Sequence, residues 1–207
     1  GGGQVVTQNR SVNIKAADTL TLMANVRGGT VHIDAGDLLQ RAAQIVATSG
    51  ADTLSSPALE IQVAGQYTLS GALTAVDAKG QPLSGVYTLR AADGNLEVAD
   101  SAGNVIPGAR VTTTALVQSA GLADIHAGSL TNAGGVITSA SSGNSRIIVQ
   151  AALDNEGLIY ATGGYLTVSS GTSLTNGSTG PGLMSAAQGL DVSAAKGFDN
   201  GSHGILA

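Results

Sequence analysis

The sequence predicts an all-β fold: a right-handed parallel β-helix, that is a solenoid, with a hairpin-rich insertion or irregular segment in its middle. Three observations carry that expectation. A short phrase recurs as Leu130-Thr131-Asn132, Leu153-Asp154-Asn155, Leu174-Thr175-Asn176 and Phe198-Asp199-Asn200, with asparagines 23, 21 and 24 residues apart. Each copy is followed by a glycine and an apolar pair: Gly135-Val136-Ile137, Gly157-Leu158-Ile159, Gly182-Leu183-Met184 and Gly204-Ile205-Leu206. A period of that size belongs to stacked coils, each too small to bury its own apolar face. The third observation is composition. Hydrophobic residues make up 43% of the 207 residues, yet aromatics are 2% and Trp is absent. Without large rings to fill a thick core, Val, Ile, Leu and Ala suit thin repeated layers, and 30 Gly suit many tight turns.

Taken in order, residues 1–65 read as degenerate coils. Val12-Asn13-Ile14 through Leu20 is one copy, Val31-His32-Ile33 through Leu38 a second, and Leu59-Glu60-Ile61-Gln62-Val63 a third. The second parallels Ala123-Asp124-Ile125-His126-Ala127-Gly128-Ser129-Leu130 position by position. The stretch 37–46 has a helical alternative with Asp37 as cap, but its parallel with Ser129-Leu130 favours strand and turn. Residues 66–114 break the pattern and read as an insertion of short strands, Tyr67-Thr68-Leu69, Val86-Tyr87-Thr88-Leu89 and Asn95-Leu96-Glu97-Val98. The turns between them include Ala78-Lys79-Gly80-Gln81-Pro82, Ala102-Gly103-Asn104 and the hairpin marker Asp93-Gly94. Residues 115–207 are regular coils. Upstream of each asparagine lies an alternating strand, Ile147-Ile148-Val149, Leu166-Thr167-Val168 or Leu190-Asp191-Val192, with one face inward and one toward water.

Stacked copies place Asn132, Asn155, Asn176 and Asn200 in one side-chain amide ladder. The asparagines are expected where a strand bends, because Asn tolerates left-handed backbone. Loss of one amide is expected to cost about 1–3 kcal/mol through unsatisfied partners.

The repeat resembles that of the filamentous haemagglutinin-type exoproteins of two-partner secretion, a family that includes the contact-dependent growth inhibition exoproteins. The resemblance is carried by Ser129-Leu130-Thr131-Asn132 through Ile137, by Ala152-Leu153-Asp154-Asn155-Glu156-Gly157-Leu158-Ile159, by Gly163-Gly164-Tyr165-Leu166-Thr167-Val168 and by Thr172-Ser173-Leu174-Thr175-Asn176. It covers about Ile125 to Ala207 well, Val12 to Leu39 fairly and 66–114 poorly. It implies export through an outer-membrane two-partner secretion transporter and display of a long rod at the bacterial surface or in secreted form. It also implies a partner that is a receptor or glycan on a host or neighbouring cell. The chain opens on Gly1-Gly2-Gly3 with no signal peptide and no NPNL- or NPNGI-like motif, and is expected to be an interior rod segment.

Charge narrows the partners. Charged residues are 11% and the net is −5, which argues against nucleic acid and other polyanions. No apolar run approaches the length of a membrane helix, and no membrane insertion of this segment is expected. Zero Cys removes disulfides and thiolate sites.

Candidate chemistry is sparse, and no catalytic, cofactor-binding or metal site is expected. His32 and His126, each near an aspartate (Asp34, Asp124), suggest a metal site, against which stands the simpler placement of both on coil exteriors. Asp52 with Glu60, and Glu97 with Asp100, are the nearest carboxylate pairs for a polysaccharide-acting β-helix. Neither stands out, and a non-enzyme is expected. The insertion holds Tyr67, Lys79, Tyr87 and Arg90, which form the candidate interaction surface, since departures from a scaffold carry contacts.

Overall fold

The structure, a computed structural model, describes residues 5–7, 10–85, 87–92 and 95–207. The opening glycines, Val86 and the Asp93-Gly94 hairpin marker lie outside the described residues. Every regular element among those described is a strand. The stretch 37–46 contributes to strands Val31–Arg41 and Gln44–Ala47, as its parallel with Ser129-Leu130 suggested.

Parallel pairing stacks three strand positions per coil. In the first, Ile14, Ile33, Ile61, Ile125, Ile147, Val168 and Val192 lie in one register column. In the second, Leu20, Leu38, Tyr67, Leu130, Leu153, Leu174 and Phe198 do the same. The third runs Val5, Val26, Ile45, Val117, Ile137, Ile159, Met184 and Leu206. The described residues therefore form a parallel β-helix of seven stacked coils, preceded by one further third-position strand, Val5–Val6. β-Branched and leucine side chains fill the columns because alternation sends every second residue to the axis. Between the two ends of the stack, where Val5, Phe198 and Leu206 are exposed, the columns form one continuous buried core.

Some corners are register shifts within a continuous strand, at 35/38, 127/129 and 133/136, and others are turns or loops, one of which carries the small antiparallel hairpin of Asp52–Thr53 and Ser56–Pro57. The asparagines were expected at left-handed corners, and the structure places that conformation elsewhere. Gly134 (φ 72°) and Gly177 (φ 69°) take it, just after Asn132 and Asn176. Glycine adopts positive φ without a Cβ clash, which frees the asparagines to sit inside the strand with buried side chains. Asn132, Asn155 and Asn176 are each 0% exposed. Their Nδ2 groups donate to the next Oδ1 at 2.8 Å (Asn132 to Asn155), 2.7 Å (Asn155 to Asn176) and 2.8 Å (Asn176 to Asn200). Toward the N-terminus the same column continues as Leu69, Gln40 and Leu22.

The expected insertion boundary at 66 is corrected. Residues 66–70 complete strand Leu59–Ser70 in the second position of the third coil, paired to both neighbouring coils. The chain leaves the stack at Gly71 and rejoins it at strand Leu116–Ser119 in the third position of the same coil. The off-axis excursion is therefore 71–114.

Candidate functional site

The excursion is built from two copies of one turn. Asp77 Oδ1 accepts the backbone N–H of Lys79 (2.8 Å) and Gln81 (2.9 Å), with Gly80 at φ 84°. Asp100 Oδ1 accepts those of Ala102 and Asn104, both at 2.9 Å, with Gly103 at φ 85°. Each turn folds its strand back, giving the bridges Val76 to Pro82 and Ala99 to Val105. These amide contacts also hold the Asp100 carboxyl below its usual range. The copies exchange strands. Leu73–Val76, before the first turn, pairs antiparallel with Arg110–Thr113, which follows the second. Asn95–Asp100, before the second turn, pairs with Tyr87–Ala92, which follows the first. Leu73 and Leu96 are therefore equivalent, as are Leu89 and Val111.

Those four side chains meet the shaft. In the apolar pairs of the repeat, the second residue points to the axis and the first points out. The outward row reads Gln44, Leu116, Val136, Leu158, Leu183 and Ile205. It turns apolar at the coil from which the excursion leaves. Leu73, Leu89, Leu96 and Val111 pack on it in a second apolar cluster, separate from the axial core. Val136 (6% exposed), Leu158 (0%) and Leu183 (1%) are buried by this cover rather than by the coil interior.

The cover is incomplete at its edge. A cleft of about 510 Å³ opens between strand Tyr87–Ala92 and the corners of the last two coils. Leu73, Leu89, Val111, Pro181 and Ile205 form its apolar walls, and Tyr87, Thr88, Thr179, Ser202 and His203 bring polar groups to it. The corner 178–180 is held by Glu156, whose carboxylate accepts the N–H groups of Ser178 (2.9 Å), Thr179 (3.0 and 3.1 Å) and Gly180. His203 Nδ1 lies 3.1 Å from Ser202 Oγ. A volume of this size with convergent polar groups is in the range of ligand sites.

Of the four residues expected to form an interaction surface, the structure brings only Tyr87 to the cleft. Tyr67 is corrected: it is an inward core residue, 0% exposed, and its hydroxyl donates to Gln40 Oε1 at 2.8 Å. Burial pushes its phenol pKa far up. Its register partner Leu38 is apolar and inward, so an aromatic ring at this column position fills the axis. Lys79 is exposed at the first turn. Arg90 is exposed on the second hairpin, where Nη1 donates to Gly103 O at 2.9 Å.

The first-position exterior holds His32 and His126. His32 Nδ1 lies 2.9 Å from Glu60 Oε2. Asp124 accepts Arg146 at 2.8 and 3.2 Å and lies 3.1 Å from His126 Nε2. Among the described residues no group of three or more His, Asp or Glu is placed to hold a metal ion. The carboxylate pairs are not brought together as pairs. Asp52 accepts the hydroxyls of Ser141 and Ser142 (2.8 Å to the latter), which draw its pKa down. Glu60 faces His32 and Gln62, and Asp100 is occupied by its own turn.

Sequence reasoning passed over the cover and the cleft, although a signal existed. Two adjacent apolar residues break strict alternation, and a strand whose two faces are both buried reads that way. Comparison of this chain with family models, curated proteins and solved structures returned no match.

Proposed function

We propose that this chain is a non-catalytic rod segment of a large secreted or cell-surface bacterial protein that mediates attachment or cell–cell contact. The observation that carries the proposal is the seven-coil stack, whose inward columns run unbroken past the point where the excursion leaves. A chain that spends its hydrogen bonds along one axis gains reach and lateral stiffness, because each coil is braced by its neighbours. The exoprotein resemblance rests on the repeat residues and supplies the secretion route and surface location as part of the same proposal. The non-catalytic reading draws support from the dispersal of the candidate carboxylates: Asp52 accepts from Ser141 and Ser142, Glu60 faces His32, and Asp100 is occupied by its own turn.

A second reading is favoured by the cleft beside Tyr87: the excursion is a recognition unit carried on the shaft. Bead attachment separates the two. The purified chain is coated on beads and binding to host cells and to bacteria is counted, with the soluble chain as competitor. A plain shaft gives background attachment. Competed attachment that falls in Tyr87→Ala, with the circular dichroism spectrum unchanged, selects recognition. Release of sugars from acidic or neutral polysaccharides by the chain overturns the non-catalytic proposal.

A further inference from the structure

The excursion presents an unpaired strand edge beside an apolar cleft. We propose that the two form a β-addition site for an extended, uncharged peptide segment with apolar side chains at alternate positions. This inference rests on the recognition reading and names its ligand class. Strand Tyr87–Ala92 pairs with Asn95–Asp100 on one side, and among the described residues no strand takes its other edge. A free edge offers N–H and C=O groups at the spacing of another backbone. A saccharide ring has no matching row of groups.

Register decides what an added strand would meet. Leu89 stands opposite Val98, and Tyr87 opposite Asp100, so by alternation Tyr87 and Leu89 share the face that meets the shaft. Arg90 stands opposite Glu97 on the other face, so the nearest charges of the hairpin point away. None of the residues lining the cleft is Asp, Glu, Lys or Arg. A charged side chain entering it would lose hydration and meet no Asp, Glu, Lys or Arg, His203 being the one imidazole on the wall, whereas Val or Leu would bury area against Ile205 and Pro181. The hydroxyls of Thr179 and Ser202 remain at the wall for water or for a peptide carbonyl. The edge strand has 6 residues. At about 3.4 Å per residue it spans about 20 Å, long enough to pair with three inward and three outward residues of a partner.

The test uses the 207-residue chain and a defined probe, acetyl-Gly-Thr-Val-Ser-Val-Thr-Val-Gly-amide. Two N-methylated forms accompany it, one methylated at the valines and one at the intervening Thr and Ser. Successive N–H groups of a strand point to opposite edges, so β-addition uses one set only. The expected result is saturable binding by calorimetry with Kd below about 1 mM. One N-methylated form should bind at least about tenfold more weakly and the other near the parent value. Ser202→Trp, which fills the cleft from an exposed corner, should weaken binding by a similar factor, and amide shifts on binding should map to Thr88 and Ile205. The proposal is overturned by no binding up to about 1 mM, by two N-methylated forms that bind like the parent, or by Ser202→Trp, folded by circular dichroism, that binds unchanged. Chitotriose binding at the cleft with a silent peptide also overturns it and assigns the site to sugars. The bead assay keeps the two levels apart. Attachment lost in Tyr87→Ala with a silent peptide leaves recognition standing and removes the peptide class, and background attachment removes the recognition reading itself.

Discussion

Asn155→Ala is the sharpest test of what holds the coils together. Asn155 is 0% exposed and sits between two buried rungs. Its Oδ1 accepts Asn132 Nδ2, and its Nδ2 donates to Asn176 Oδ1 and to the carbonyl of Gly157 at 3.1 Å. Alanine leaves two side-chain groups facing an empty slot, the Asn132 amide and the Asn176 carbonyl, both on residues that are 0% exposed. Each of the two orphaned buried groups costs about 1–3 kcal/mol, so the variant should lose about 2–6 kcal/mol. The internal comparison is Asn200→Ala. Asn200 is exposed on the last coil, and without it Asn176 Nδ2 still faces the carbonyls of Gly182 (3.3 Å) and Ile205 (3.4 Å). That variant should lose about 1 kcal/mol or less. Urea unfolding followed by far-ultraviolet circular dichroism measures both, and the slopes report whether the stack still unfolds as one unit. In the double variant Asn132→Ala/Asn155→Ala the losses should sum to less than the two singles, because the first removal leaves the second fewer partners to strand. Equal losses for Asn155→Ala and Asn200→Ala, or less than about 1 kcal/mol for the former, would refute the argument that the ladder stabilises the stack through buried amide pairing.

Three further outcomes follow from the same geometry. Leu158→Lys lies on the outside of a strand, where a lysine is ordinarily harmless. Because the excursion covers it, the change should undock the cover and expose 77–108 to limited proteolysis, and Leu158→Ala should cost about 2–5 kcal/mol; unchanged proteolysis in both refutes the docking. The buried phenol of Tyr67 has a folded-state pKa raised above its unfolded value of about 10, so its stability contribution is complete below that value and is lost as pH rises. Difference absorbance at alkaline pH should show Tyr67 ionising only with unfolding, while Tyr67→Phe removes that step and costs about 1–2 kcal/mol through Gln40. Asp52 carries the opposite sign: the Ser141 and Ser142 hydroxyls lower its folded pKa, so its contribution is present above the ordinary carboxylate range and is lost as pH falls through the folded value. Asp52→Asn should flatten the acid limb of the stability profile measured by urea midpoint, and an unchanged limb refutes the clamp.

The candidate site was less legible than the fold. Lys79 and Tyr87 were visible as members of a segment that departs from the repeat, but strand alternation alone could not tell an inward tyrosine from an outward one. Tyr67 and Tyr87 occupy similar short strands in sequence. One fills the axis and donates to Gln40, and the other borders a cleft. The duplicated turn was present as Asp77 to Gly80 and Asp100 to Gly103, a repeat at 23 residues that coincides with the coil period and so is easily lost among the coils.

The sequence by itself determined the all-β class, the parallel stack and the alignment of Asn132, Asn155, Asn176 and Asn200. These depend on a period and an alternation, and both are one-dimensional properties of the chain. Only the tertiary structure decided that the excursion begins at Gly71, lies along the shaft and buries Leu158 and Leu183, leaving a cleft beside Tyr87. Those facts depend on which outward face meets which hairpin once residues far apart in the chain have been brought together, a matching of two surfaces that no local pattern encodes.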